Sequence, residues 1–396
     1  MNKKPLVLAY SGGLDTSYCL KKLSSEGYEV HAVSVNTGGF SKTEINSIKE
    51  KAYHMGAHVY ENMDALSSFY DHIVKYLIFG NILKNNTYPL SVSAERIIQA
   101  IEIVRYANRI GAKYIAHGST GAGNDQVRFD LIFQVMAPEI EIITLIRDHQ
   151  LSREDEIAYL KSQGIDMAWK KAQYSVNQGL WGTSVGGSET LTSNLPLPEK
   201  AYPSALKNKK TTQISIGFEK GEIATFNGKK GDSVDLIQEL QETAKSYAIG
   251  RDIHVGDTII GIKGRVGFEA AAPLIILKAH HLLEKHTLTK WQLFQKEQLG
   301  NFYGMLLHEG NYLDPVMRDI EAFLQSSQTH VSGTVMVALN PYRFELLGIQ
   351  SDHDLMQAKF GSYGEMNKAW TATDAKGFIK ITANAHKIFK SVNKSI

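Results

Sequence analysis

A doubly wound α/β unit, followed by a second α+β domain and a C-terminal helix, is the fold the sequence predicts, and three observations predict it. Short apolar runs alternate with helical segments over residues 1–165, a glycine-bent turn follows the first run, and the texture changes over 164–204. Alternation of this kind builds a parallel sheet wrapped by helices.

The first strand, 6–10, is the unbroken apolar run Leu6-Val7-Leu8-Ala9-Tyr10, as expected for a strand covered on both faces. Further strands are expected at 29–35, 58–61, 114–117 and 141–144, and helices at 16–25, 43–55, 65–79, 93–110, 126–136 and 152–163. Ser152, with acidic residues from Glu154 to Glu156, is well placed for a helix start. Glycine and serine at 182–188, then Pro196, Pro198 and Pro203, mark a linker or long surface loop over 164–204. Beyond it, strands are expected at 212–218, 222–226 and 258–262, helices at 233–248, 273–286, 289–307 and 315–325, and a strand pair at 334–339 and 343–347. The tail, 374–396, reads as a helix whose stripe of Phe378, Ile381, Ala385, Ile388 and Phe389 docks on its own domain or on a neighbour. The expected units are therefore 1–168, 169–372 and 373–396.

Composition excludes several classes. With 396 residues and 43% hydrophobic content the chain can bury a sizeable core. Lys+Arg 43 against Asp+Glu 41 leaves a charge of +2 with no basic arm, so a nucleic-acid partner is not expected. Met1-Asn2-Lys3-Lys4 has the charge of a signal n-region, but the apolar run after it stops at Ser11, and no stretch is long enough for a membrane span. Cys19 is the only cysteine, which rules out a disulfide framework and fits a reducing cytoplasm.

Chemistry enters at Ser11-Gly12-Gly13-Leu14-Asp15-Thr16-Ser17. Gly12 and Gly13 let the backbone bend close to a ligand, and the free N–H groups of the next helix favour an anion by about 0.3–1 kcal/mol. Ser11, Thr16 and Ser17 add hydroxyls, and with no Gly-Lys-Ser/Thr ending the turn suits pyrophosphate rather than γ-phosphate transfer. A Ser-Gly-Gly turn is also an ordinary capped turn, but this one follows the first strand of the alternating pattern, where doubly wound sheets place ligands.

A second run, His117-Gly118-Ser119-Thr120-Gly121-Ala122-Gly123-Asn124-Asp125-Gln126-Val127-Arg128-Phe129-Asp130, also joins a strand to a helix, so both loops are expected to face one crevice. Asn124 and Asp125 could be a simple N-cap pair. Yet an amide, a carboxylate and a guanidinium within five residues suit an amino acid, whose two charged ends need opposite partners.

On residues 9–17 and 118–130, with Tyr88, Ser93 and Arg96, the chain resembles the argininosuccinate synthases of the N-type ATP pyrophosphatase group. The likeness continues through Ser175, Leu180 and Ser184 and through Gly261-Ile262-Lys263-Gly264-Arg265. It implies an adenine nucleotide alpha hydrolase-like first domain, a homotetramer, and a magnesium-dependent ligation with ATP as co-substrate. The ureido oxygen of citrulline attacks the α-phosphorus, giving a citrullyl-adenylate and pyrophosphate, and the amine of aspartate then displaces AMP. Carried over by position, Ala9, Tyr10, Ser11, Gly12, Gly13, Leu14, Asp15, Thr16, Ser17, Val35 and Gly118 hold ATP, with Asp15 near the magnesium. Tyr88, Ser93, Asn124, Arg128, Ser175 and Ser184 take citrulline, while Thr120, Asn124 and Asp125 take aspartate. No protein-only metal site is expected.

The pattern breaks at two positions. Gly256 stands where relatives carry glutamate, and Phe268 where they carry tyrosine. A buried ammonium without a carboxylate costs several kcal/mol. Either Asp257 takes over, or the substrate is an N-acylated citrulline whose nitrogen is neutral. A non-catalytic ATP sensor of the same fold is the other alternative. Sulfur-relaying tRNA enzymes and glutamine-using relatives need reactive cysteines, and the lone Cys19 reads as packing. His280-His281 are expected to be packed or solvated, and Glu239, Glu242 and Lys245 to form an exposed helix face.

Overall fold

The computed structural model describes residues 4–167, 169, 173–357, 361 and 363–393; Met1 to Lys3 at the N-terminus, Ala168 at the first expected boundary and 394–396 of the tail lie outside them. Five strands, β1 (Lys4–Ala9), β2 (Tyr28–Asn36), β3 (Val59–Asp64), β4 (Tyr114–Ala116) and β5 (Glu141–Ile143), form a parallel sheet in the order β3-β2-β1-β4-β5. Leu6 and Leu8 pack into one core with the helices Leu14–Ser25 and Lys42–Met55, while Val7 between them packs into another with Ser91–Ile110. That alternation is why β1 reads as a continuous apolar run. The strand order reverses between β1 and β4, the switch point where such sheets bind ligands.

Helix starts follow their caps. Ser41 and Ser152 both make capping boxes, with Glu44 and Asp155. The helix expected at 65–79 is interrupted by a π turn at Tyr70–Val74.

Two antiparallel sheets follow. One runs β6 (Ser175–Gly179), β7 (Gly182–Gly186), β12 (Lys263–Glu269) and β11 (Arg251–Asp257). The other contains β8 (Thr212–Glu219), β9 (Glu222–Phe226), β10 (Lys229–Lys230), β13 (Gly333–Asn340) and β14 (Arg343–Gln350). The expectation of a linker or loop over 164–204 is corrected for 175–186: 187–204 is irregular apart from two short 3-10 turns, but β6 and β7 form a hairpin whose turn buries Trp181 completely. Glycine and serine there serve close strand pairing, not flexibility. The strand expected at 258–262 is also corrected. It is the turn joining β11 to β12, closed by Thr258 N–H to the Ile262 carbonyl at 2.8 Å, with Gly261 at φ +83°. Its isoleucines suggested a strand, yet Ile260 and Ile262 are exposed.

The helices Ser233–Lys245, Ala271–Thr287, Lys290–Glu309 and Pro315–Ser327 lie near their expected positions. His280 is packed, fully buried between Asn81 and Gln328, while Glu242 and Lys245 pair on an exposed face at 2.5 Å. One apolar core runs from Val7 in the parallel sheet to Leu339 in β13. The tail helix Ala372–Asn393 buries none of its side chains, and Phe378 and Ile381 are 71% and 76% exposed. Among the described residues no helix is long and apolar enough to cross a membrane.

Candidate active site

The first loop leaves β1 through Tyr10 and Ser11, bends at Gly12 with φ +75°, and enters the helix Leu14–Ser25 with Gly13 as its cap. The Ser11 and Thr16 hydroxyls lie 3.3 Å apart, and Thr16 donates to the Gly13 carbonyl at 3.3 Å. The Gly12 carbonyl accepts from Lys51 Nζ at 2.7 Å. The start of the helix, with its unpaired N–H groups, and the Ser11 and Thr16 side chains line the cavity, an arrangement suited to an anion.

The second loop follows β4. Ser119 N–H donates to His117 Nδ1 at 3.2 Å, so the proton sits on Nε2 and is donated to Asp130 Oδ1 at 2.8 Å. Gln126 then ties down the Gly121 and Gly123 carbonyls at 2.6 and 3.1 Å. Gly118 passes so close to the first loop that a Cβ there would stand 3.2 Å from the Thr16 nitrogen. A side chain there would press on the first loop by a few tenths of an ångström, so glycine lets the two loops meet as one rim.

At this rim Asp125 begins the helix Asp125–Met136. It accepts from Arg96 Nε and Arg128 Nη1, each at 2.9 Å. Burial alone would raise its pKa, but the two guanidiniums hold the carboxyl below the ordinary aspartate value. Asn124 Oδ1 accepts from Ile259 N–H at 2.9 Å, linking the loop to the β11–β12 turn.

Tyr88 lies on the far side, nearly buried, its ring stacked 5.3 Å from His254 and tilted against Phe268 at 5.5 Å. Its oxygen accepts from Ser91 Oγ at 3.2 Å and Val92 N–H at 3.1 Å, so its own proton is free for a ligand. Burial keeps that phenol protonated. Leu90, just before, is held at φ +63°, a strained value for a bulky residue that brings Tyr88 and Ser93 to the cavity together.

One cavity of about 1160 Å³ gathers most of the expected set: both loops, Val35, Tyr88, Ser93, and Ser175 and Ser184 from the hairpin. Gly12 and Ser17 do not line it. Gly12 acts through its backbone, and the fully buried Ser17 hydroxyl lies 3.4 Å from the Tyr10 hydroxyl. Arg265, at the cavity edge, donates to the carbonyls of Glu189, Thr192 and Leu195 and so holds that segment. Beside Gly256, the His254 imidazole fills the room a side chain would use, its Nε2 being 2.7 Å from the Cβ position. Asp257 lines the cavity, paired with Lys263 at 2.6 Å.

Sequence reading missed Glu95, Gln99, His254 and His308, all of which line the cavity. Glu95, Gln99 and Ile103 follow one another at four-residue spacing, with Arg96 three before Gln99, so one helix face carries them. Burial and Arg128 push His308 down to about 3, so it is neutral, with its Nδ1 toward Arg128 Nη2 at 3.4 Å and Nε2 without a hydrogen-bond partner.

Behind the first loop, Glu156 lies near Asp15, and burial with the Asp15 charge pushes it up to about 8. Asp15 lines the cavity, where a carboxylate could meet a hard cation brought by phosphate oxygens. Among the described residues no group of three or more His, Cys, Asp or Glu forms a metal cage.

The family profile described as "Arginosuccinate synthase N-terminal HUP domain" matches residues 5–166, and "Arginosuccinate synthase C-terminal domain" matches 174–389. The chain is 34% identical to the argininosuccinate synthase of Xanthomonas campestris pv. campestris, covering 100% of both chains. Identity to the enzyme of that name from Methanocaldococcus jannaschii is 37% over 91% of each chain, and to that from Pyrococcus furiosus 36% over 95% of this chain and 92% of the relative.

Proposed function

Because the chain belongs to the argininosuccinate synthase family, we propose that it is a carbon–nitrogen ligase of arginine biosynthesis, joining citrulline to aspartate while ATP is cleaved to AMP and pyrophosphate. The observation that carries this reading is the approach of Gly118 to Thr16, which opens the anion seat and the Asp125–Arg128 set onto one cavity. Family membership favours free citrulline over an N-acylated one, and catalysis over nucleotide sensing.

In this reading the adenosine lies against Ala9, Val35 and Gly118, and the phosphates lie on the loop 10–17. Asp15, backed by Glu156, is the residue that would hold magnesium. The ion, bound with the triphosphate, would neutralise charge on the departing pyrophosphate. Tyr88, Ser93, Asn124, Arg128, Ser175 and Ser184 orient citrulline so that its ureido oxygen meets the α-phosphorus. Helix N–H groups and the Ser11 and Thr16 hydroxyls stabilise the charge that develops there. Thr120, Asn124 and Asp125 then hold aspartate, whose amine attacks the ureido carbon and expels AMP.

The experiment is direct. Purified protein with ATP, magnesium, citrulline and aspartate is expected to release AMP, pyrophosphate and the joined product only when both amino acids are present. Turnover independent of either amino acid, or a clear preference for N-acetyl- or N-succinylcitrulline, overturns the assignment. The units 1–168, 169–372 and 373–396 are read as nucleotide-binding, synthetase and tail segments of a cytoplasmic homotetramer. The exposed stripe at Phe378 and Ile381 supports assembly through the tail, and sedimentation tests it.

A further inference from the structure

The helix Ser91–Ile110 turns one face to the cavity, with Glu95, Arg96, Gln99 and Ile103 along it. Most carboxyls at the cavity already have partners: Asp125 has two guanidiniums, Glu44 its capping box, Asp257 a lysine, and Asp15 has Glu156. Glu95 differs. It is 2% exposed, its Oε1 has no hydrogen-bond partner, and the Thr37 hydroxyl is the neighbour that bonds the carboxyl. The adjacent Arg96 guanidinium is directed to Asp125, Gln99 and Asn177 instead.

Position adds to this. Ser93 lies two residues earlier on the same helix, and Oε1 rests against Gly179 of the hairpin that carries Ser175 and Ser184. Arg96 and Asp125, themselves paired, stand within charge range of it. Glu95 therefore occupies the junction between the residues assigned to citrulline and those assigned to aspartate. Resting on that assignment, we infer that Glu95 is the base that takes a proton from the α-ammonium of aspartate.

The step balances. An N–H bond breaks and the Glu95 carboxylate becomes a carboxylic acid. The freed nitrogen lone pair forms the C–N bond to the ureido carbon, the C–O bond to the adenylate breaks, and AMP leaves with that electron pair and the second amine proton. Burial pushes Glu95 up to about 8, with Arg96 and Thr37 opposing and Asp125 adding to the rise. Such a value suits an acceptor working near neutral pH. The other titratable groups facing it are Arg96 on its own helix, Asp125 on the next and Tyr88 on the preceding loop. The hairpin residues lining the cavity, Asn177 and Gln178 among them, are all uncharged.

The two half-reactions separate this role from others. Citrulline-dependent exchange of pyrophosphate into ATP, without aspartate, reports adenylation alone. In Glu95→Gln that exchange is expected to stay within about twofold of wild type, while the aspartate-dependent single turnover falls about 100-fold or more and Glu95→Asp recovers part of it. The dependence of the single-turnover rate on pH through the Glu95 value should flatten in Glu95→Gln. A parallel fall in exchange makes Glu95 a counter-charge for citrulline or a structural residue and overturns the inference, as does undiminished ligation. Absence of citrulline-dependent exchange in the wild-type protein would instead refute the functional assignment itself.

Discussion

Arg128 donates to the carbonyl of His308 through Nε at 3.0 Å and Nη2 at 2.8 Å, tying the helix after the second loop to the C-terminal end of Lys290–Glu309. The carbonyls of a helix's last turn have no partner within the helix, and a guanidinium meets both their hydrogen-bonding need and the negative end of the dipole. Only Nη1 remains, and it reaches Asp125 at 2.9 Å.

Replacing that fork with a point charge should be costly. Arg128→Lys is expected to lower kcat/KM for citrulline about 100-fold, the weight of about 2.7 kcal/mol in charged hydrogen bonds. Steady-state kinetics with citrulline varied checks it, and a change below about threefold would show that lysine suffices.

Asp125 stands between two cations, so Asp125→Ala leaves both guanidiniums unpaired. Loss of one member of a buried pair costs about 3–5 kcal/mol, and the 34% exposure of Asp125 should bring the effect below that range. The pH dependence follows from the sign of the shift. A carboxyl whose folded value is depressed contributes stability above about pH 4, its unfolded value, and loses it as pH falls through the lower folded value. Urea titrations between pH 7 and pH 3 should show wild type losing stability more steeply than Asp125→Ala.

Lys51 acts on the phosphate loop from behind. Burial lowers its pKa, and its ammonium donates to the Gly12 carbonyl at 2.7 Å, fixing the bend of the loop. Lys51→Met is expected to raise KM for ATP about tenfold, about 1.4 kcal/mol, with little change in KM for citrulline or aspartate. Equal effects on all three would point to general unfolding.

Gly179 and Glu95 compete for one space, since a Cβ at 179 would overlap the Glu95 carboxyl. Gly179→Ala should therefore destabilise by about 1–3 kcal/mol, the usual cost of overpacking. Adding Glu95→Ala should recover most of that loss, a coupling that a thermal-melt double-mutant cycle measures.

Residues close in the chain made much of this protein legible before its structure. β1 is an apolar run, β2 alternates Val30, Ala32 and other apolar residues with polar ones, the first loop carries its glycines and hydroxyls within seven residues, and Asn124, Asp125 and Arg128 share one helical turn. Such features rest on local sterics, capping and periodicity, which a sequence displays directly. Pairings between distant residues had no such trace. The hairpin at 175–186 was hidden among glycines and serines because its partner, β12, lies some 80 residues away, a separation for which about no local signal exists. Burial of Glu95 under Gly179, capture of the His308 carbonyl by Arg128, and the imidazole of His254 beside Gly256 likewise depend on which surfaces meet. Sequence alone thus determined the sheet and the two loops at one of its edges; tertiary packing decided which charged groups are neutralised, because desolvation and pairing exist only once the chain has closed around them.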